Sequence, residues 1–399
     1  MRDGLAFSVL TFTSFFVHSL VRLAIPLLLT HLETPVIYIG GVMIAQSITI
    51  AVLSVPLGRA SDTLGRRKLA LLGTLFMLGG SLAFIAAVDL LAILAASVFF
   101  SVGWAALEPS IASIVGDRAA HGMVGRSYGT FAATLQAGNG AGPAAAGLLI
   151  SLHGYAAPFI LSSVIALGSL IWLTLVFKET SNVKGENPEE FLKTFRSLAR
   201  SSTVPSGWVA ICCSFAIIGA FDAFFPVYAT RIGLEPWLIG ALFSGQFIVG
   251  MITRVPLGIF LDKIGDKLRI MTLGLLASAM GVALIPLFVH PLILFPLMLF
   301  MSTARALTNI GGMTLVALGT SKTERGLGLG IAATFRHTGF SLGPAVFTLG
   351  VTLGSFLFGF FSTALIAVPG SVLLLAFRRR SMKRSRRSIS NNSPPIGKK

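Results

Sequence analysis

Charge, acidic residues and cysteine are all scarce in this 399-residue chain. Charged residues make up only 12% against 54% hydrophobic ones, and the mean hydropathy is +0.85. Soluble domains carry about 25% charged residues, so a water-soluble surface is excluded, and with it the two or three soluble domains the length would otherwise suggest. The two cysteines, Cys212 and Cys213, are neighbours with no other to join, so neither a disulfide framework nor a metal site follows. The glycine triplets Gly138-x-Gly140-x-Gly142 and Gly326-x-Gly328-x-Gly330 follow no strand, which removes a phosphate-binding loop and an ATP-driven pump. With no metal cluster and no nucleophile–base constellation either, the chain is not read as an enzyme and no cofactor is expected. Only 15 acids oppose 31 lysines and arginines, leaving +16, a charge that on a soluble protein would point to nucleic acid.

What the chain has is long apolar stretches. Twelve run approximately over 6–30, 36–58, 69–88, 90–115, 127–151, 155–177, 207–230, 237–258, 270–289, 291–317, 327–350 and 353–377. A bilayer-crossing helix needs about 20 such residues, and the stretches lack the alternation of a barrel strand. An all-α polytopic membrane protein of twelve spans is expected. The first span carries Arg22 and Pro26 and no small-residue cleavage site, so it is read as retained.

The basic residues then orient the chain. With an inside N-terminus, the even-numbered connections and both termini hold 26 of the 31, and the odd-numbered connections hold only Arg231. Translocated positive charge is disfavoured, so both termini are placed in the cytoplasm and the protein in the plasma membrane. After Phe377 a run from Arg378 to Lys399 is read as a disordered tail drawn to anionic lipid head groups. It lacks interleaved aromatics, so nucleic acid is not expected as its partner.

The sequence also repeats. At an offset of 200, Ser14, Phe15 and Pro26 recur as Ser214, Phe215 and Pro226, and Gln46, Pro56, Gly58, Asp62 and Gly65 recur as Gln246, Pro256, Gly258, Asp262 and Gly265. At 201, Gly129, Gly138, Gly142 and Pro143 recur as Gly330, Gly339, Gly343 and Pro344. An offset of six spans implies two six-helix bundles of the same topology, pseudo-symmetric about the membrane normal. The expected organisation is a first bundle over 1–177, a polar cytoplasmic linker over 178–206, a second bundle over 207–377 and the tail over 378–399.

Gly58 to Arg67, between spans 2 and 3, reads Gly-x-x-x-Asp-x-x-Gly-Arg-Arg and resembles the cytoplasmic-loop signature of the major facilitator superfamily, with a weaker copy from Gly258 to Lys267. The resemblance covers the chain to Phe377. It implies two bundles rocking around a central cavity that opens alternately to each side. It further implies a gating loop of Gly58, Asp62, Gly65 and Arg66, with Asp62 capping the start of span 11 and Arg66 pairing with Asp117 at the end of span 4. Arg67 and Lys68 are read as solvated loop charges. Asp266 and Lys267 stand where the first copy has Arg66 and Arg67, which puts the second latch in doubt.

Span 5 carries Gly129, Gly138, Gly142 and Pro143 at a spacing similar to the glycine-proline signature of the drug-exporting branches. Glycines so placed let helices approach closely, and ordinary packing is the reading without a statement of direction. The arginine those branches carry in span 4 is replaced by Phe99, which weakens proton antiport.

An ionisable residue inside the bilayer costs at least ~2.5–3.5 kcal/mol and needs a partner, water or a function. Arg22, Glu108, Asp222, Arg305 and Arg336 are deep, while Arg254 is read as near enough to a helix end to snorkel. Helices 1, 4, 7 and 10 line the cavity in the superfamily, and four of the five deep charges fall on them. Arg22 and Asp222 stand 200 apart at equivalent heights, so a pair across the pseudo-twofold axis is expected. Glu108 and Arg305 are expected as an inner pair or as substrate contacts. Structural pairing of each charge within its own bundle is the alternative. Gln46, Gln246 and Asn139 are further cavity candidates, with interhelical hydrogen bonding the plainer role. His18 and His337 are assigned to packing, and most of the 31 phenylalanines to the lipid face.

The expected function is gradient-driven efflux of small organic or drug-like molecules by a monomer, with protons or sodium as the coupling ion. Three deep arginines against two acids keep open transport of an organic anion. A non-transporting sensor or scaffold is the alternative class, for which the chain shows no appended soluble domain.

Overall fold

In a computed structural model of the chain, residues 2–118, 124–176, 188–201, 203–321 and 324–392 are described, and all their regular structure is helical. The first half contributes α1 (Arg2–His31), α2 (Val36–Leu64), α3 (Arg66–Ala86), α4 (Leu90–Arg118), α5 (Val124–His153) and α6 (Ala157–Val176). After a short α7 (Pro188–Arg200), the second half contributes α8 (Val204–Arg231), α9 (Pro236–Lys263), α10 (Lys267–Leu284), α11 (Pro291–Leu318), α12 (Arg325–Leu353), α13 (Phe356–Leu365) and α14 (Ala367–Asn392). Among the described residues, ten segments are long and apolar enough to cross a membrane, so the chain is an integral polytopic membrane protein. Helices α5 and α12 are as long as the others, at 30 and 29 residues. Gln136 and Asn139 interrupt the apolar run of α5, and Arg336 and His337 that of α12.

The helices pack as two lobes whose internal contacts repeat. In the first, α1 lies against α5 and α6, α3 against α4 and α6, and α2 against α4; in the second, α8 lies against α12 and α14, α10 against α11 and α14, and α9 against α11. Apolar surface gains nothing by leaving lipid for another helix, so contact depends on close packing of small residues. Gly138 and Gly142 bring α5 onto α1, where Ser19 Oγ donates to the Gly138 carbonyl at 3.2 Å. Gly339 and Gly343 bring α12 onto α8 in the same way. Gly129 and Gly330 touch nothing within 4 Å of where a Cβ would stand, so the outermost glycine of each copy is not part of this packing.

Two seams join the lobes, α2 with α12 and α5 with α9. They close tightly near the short turns Leu32–Pro35, Gly154–Ala156 and Ile232–Glu235, a face carrying little charge. There a Cβ on Gly240 would run into the Pro143 carbonyl, and one on Gly147 into that of Pro236. Ser151 Oγ accepts from the Trp237 amide at 3.0 Å, and Ser244 Oγ accepts from that of Ala144 at 2.9 Å. The opposite face carries the basic loops.

Aromatic packing differs from the lipid-facing expectation. Phe221, Phe224, Phe225, Phe347 and Phe360 are fully buried in the second lobe, with the Phe224 and Phe347 rings stacked at 4.0 Å. Among the described phenylalanines only Phe12, Phe99, Phe195, Phe260, Phe300, Phe358 and Phe361 are exposed. The rings fill the gaps that small residues cannot.

Two segments also depart from the expected organisation. Within the polar linker, α7 docks on the second lobe: Phe195 stacks 6.1 Å from Trp208, and Leu198 is buried beside Val204 and Val316. Helix α14 runs without a break through Arg378 to Asn392, where a disordered tail was expected from residue 378. Nothing in Phe377–Lys383 breaks a helix, and Arg378 is held by Asp266 at 2.6 Å. Residues 393–399 lie outside the described residues.

Candidate functional site

Between the lobes lies a cavity of about 720 Å³, walled by α1, α2, α4 and α5 from one side and α8, α9, α11 and α12 from the other. Its wall reaches Met313 and Thr314, close to the basic-face end of α11, while the glycine seams close the opposite end. All five deep charges of the sequence line it, as do Gln46, Asn139 and Gln246.

Two charged bridges cross from lobe to lobe. Arg22 Nη2 of α1 stands 3.0 Å from Asp222 Oδ2 of α8, and the same guanidinium lies 4.1 Å over the Phe340 ring of α12. Equal heights in the two repeats bring the first pair together. The second bridge replaces the inner Glu108–Arg305 pair, one of the two roles expected for these residues. Glu108 accepts a hydrogen bond from Arg336 of α12, with His337 Nε2 3.3 Å from its other oxygen, and both Glu108 and Arg305 stay on the cavity wall where a substrate would meet them. The repeat sets how deep Glu108 and Arg305 lie but not which way they face, and α4 turns its carboxylate towards α12. His337 therefore belongs to the charged site and is more than packing. His18 stacks on Trp104 with ring centroids 3.9 Å apart, also on the cavity wall.

Arg305 has no hydrogen bond or ion pair among the described residues, and its Nε is buried. Arg254 was expected to snorkel but turns into the cavity, close enough to Arg305 for the two charges to interact. Proximity to a helix end suggested solvent, yet residue 254 lies one turn from Gly250, which packs opposite Ser302 of α11. Gln246 is buried with its Oε1 lacking a partner. Phe99 is exposed, packs tilted against Phe76 with ring centroids 4.6 Å apart and does not line the cavity. Among the described residues no group of three or more His, Cys, Asp or Glu side chains is placed to hold a metal.

At the basic face the loop signature is partly visible. Gly58 lies within α2, where a Cβ would stand in ordinary contact with Pro109 of α4 at 4.0 Å, and Gly65 takes φ 104° between α2 and α3, a conformation that favours glycine. Arg66 is buried and its Nη1 donates to the Ser113 carbonyl of α4 at 2.7 Å. The side chains of Asp62 and Asp117 lie outside the described residues, and the expected cap and ion pair with them. Arg67 is no mere solvated charge, since Nη2 donates to the Thr174 carbonyl at 2.7 Å near the end of α6, where a cation meets the helix dipole favourably. In the second copy Asp266 caps α10 by accepting from the Arg269 amide at 3.2 Å and holds Arg378.

Paired lobes, a charged cavity between them and seams closed at one end define a membrane transporter capable of alternating access. The sequence matches the family model of the Major Facilitator Superfamily over residues 7–301 and again over 236–398, and the chain belongs to that superfamily, one of transporters rather than enzymes. The chain has the fold of the superfamily's secondary transporters, with two lobes capable of alternating access. It is 30% identical over 135 residues to the MFS-type transporter ppzB of Metarhizium rileyi, and 24% identical over 252 residues to multidrug resistance protein 2 of Bacillus subtilis. These alignments cover 34% and 60% of this chain, and the chain spans 28% and 62% of the two relatives' lengths. Its fold is similar to that of the nucleoside transporter NupG (TM-score 0.77, 16% identity, 94% of this chain and 99% of that one). It is also similar to that of a POT family transporter crystallised with 5-aminolevulinic acid (TM-score 0.80, 12% identity, 95% and 96%).

Proposed function

We propose that this transporter exports small organic, drug-like molecules from the cytoplasm, driven by a proton or sodium gradient. The observation that carries the reading is the pair of charged bridges, Arg22–Asp222 and Glu108–Arg336–His337, each joining the two lobes across the cavity wall. A bridge between moving bodies must break and reform as they rock, so an arriving ion or substrate that competes for one partner biases the motion. The glycine-proline spacing of α5 and the likeness to a multidrug resistance protein support export.

In this reading α5 and α12 complete twelve spans as two six-helix bundles of a monomer in the plasma membrane. The excess of basic residues on one face then makes that face cytoplasmic and puts both termini inside. The cavity therefore reaches towards the cytoplasm, and the Gly147–Gly240 seam is the closed outer gate. Asp62 and Arg66 hold the inner gate when the basic ends of the lobes meet. The basic end of α14 and the residues after it lie against anionic head groups, at about 1 kcal/mol for each basic residue near the surface.

The test is flux through the purified protein in proteoliposomes under imposed pH or sodium gradients, with cationic, neutral and anionic compounds. Movement of a compound away from the basic face, accelerated by one of the gradients, is expected. Equal flux in both directions whatever the gradient would contradict gradient-driven export.

A further inference from the structure

Among the described residues, four arginines line the cavity, Arg22, Arg254, Arg305 and Arg336, against two acids, Glu108 and Asp222. Both acids are committed, Asp222 to Arg22 at 3.0 Å and Glu108 to Arg336 and His337. That leaves Arg254 of α9 and Arg305 of α11 without an ion pair or a hydrogen-bonded anion among the described residues; Arg305 feels Asp222 only at a distance, and its buried Nε has no acceptor. Guanidinium groups that face a cavity inside a bilayer protein without an ion pair are costly unless water or a ligand meets them.

Their surroundings are those of a receiving site. On α9, Gln246 and Arg254 are two turns apart on one face, with Gly250 between them opposite Ser302 of α11, where a Cβ would come 3.2 Å from its Oγ. On α11, Ser302, Arg305 and Asn309 follow at helical spacing, and all three line the cavity. Hydrogen-bond donors therefore converge from two helices of one lobe. The same cavity is lined by aromatic residues, with Trp104 and Phe131 from the first lobe and Phe215, Phe243, Phe247 and Phe340 from the second. The volume of about 720 Å³ accepts a drug-sized molecule.

We propose that Arg254 and Arg305 form an anion-binding subsite, which takes the carboxylate, sulfonate or phosphate of an organic molecule whose apolar body lies against the aromatic walls. Guanidinium forks suit these planar or tetrahedral oxyanions and donate charge-assisted hydrogen bonds to them. The inference rests on reading the cavity as the substrate pathway and names the substrate class within it. A bound anion would also screen Arg305 from Asp222, leaving Asp222 more dependent on Arg22, which ties occupancy of the subsite to the neighbouring bridge.

Calorimetric titration of the purified full chain in lipid nanodiscs tests this with four probes of one shape: 2-naphthalenesulfonate, 2-naphthoate, neutral 2-naphthalenemethanol and the cation 2-naphthylmethylammonium. The expected result is preference for the two anions, with sulfonate affinity falling about tenfold in Arg254→Gln and in Arg305→Gln and binding of the neutral probe unchanged. Arg305→Lys, which keeps the charge, should retain part of the affinity and guards against a loss that reflects misfolding. The proposal is overturned if neither anion binds, if the neutral or cationic probe binds as tightly, or if both glutamine variants bind sulfonate like the parent. Flux of the same probes in proteoliposomes separates the two readings. Anion binding without any flux would sink the pathway reading and leave the subsite, whereas flux without anion preference would sink the subsite alone.

Discussion

Arg22 and Asp222, 200 positions apart in the chain, meet across the axis between the lobes with Nη2 3.0 Å from Oδ2. The pair occupies equivalent heights on α1 and α8, and Phe340 of α12 covers the guanidinium. Breaking such a partly buried pair by removing one member costs about 3–5 kcal/mol, because the survivor is left uncompensated.

Reversing one charge should therefore stop the cycle, and reversing both should restore it. Arg22→Asp and Asp222→Arg are each expected to reduce proteoliposome flux more than tenfold, and the double exchange to recover a substantial fraction. Singles that are inactive with a double that regains nothing would show that the contact does not gate transport.

Glu108 holds Arg336 and His337 from the opposite lobe, so it joins the lobes through two partners at once. Glu108→Gln keeps the shape and removes the charge. The expected outcome is severalfold slower flux, with thermal stability lowered by about 3 kcal/mol or more. Flux and stability like the parent's would show that this bridge takes no part in the motion.

At the seam, Gly240 lets α9 lie against the Pro143 carbonyl of α5. Gly240→Leu has no room and should hold the uncharged ends of the lobes apart. Accessibility of a cysteine placed at Ser151 to a membrane-impermeant maleimide should then rise severalfold, in a background lacking Cys212 and Cys213. Unchanged labelling would mean that the seam is not the closed gate.

Asp266 both caps α10 and pairs with Arg378. Asp266→Ala should cost about 1 kcal/mol through the cap and release the end of α14. Trypsin cleavage near Arg378 is expected to accelerate, while Arg269→Ala, which leaves the backbone cap and the ion pair intact, should not have this effect.

The repeat in the sequence carries heights along helices well and facing directions poorly. That is why Arg22 and Asp222 are readable as a pair, while the inner pair of Glu108 with Arg305, one of two roles expected for them, gives way to a partner on α12. Arg254 was misplaced for a related reason: distance from a helix end says nothing about which neighbour the residue faces. Phe99 marks a point where the family pattern fails to transfer, since that position looks away from the cavity. Helix α7 had a signal that polarity masked, because Phe191, Phe195 and Leu198 recur at helical spacing inside the charged linker. The glycine-proline pattern was legible as close packing at Gly138 and Gly142, where α1 supplies the opposing backbone, but not at Gly129, where nothing approaches.

Alternating access about the charged cavity is tested most directly by paired electron-spin distances in nanodiscs. Labels at Tyr38 and Leu353 report the uncharged ends of α2 and α12, and labels at Leu64 and Leu318 the basic ends of α2 and α11; all four positions are exposed. On addition of a transported compound with its driving gradient, the first distance should lengthen as the second shortens. Distances that both stay fixed, or that move in the same direction, would contradict two lobes rocking around the Arg22–Asp222 and Glu108–Arg336 bridges.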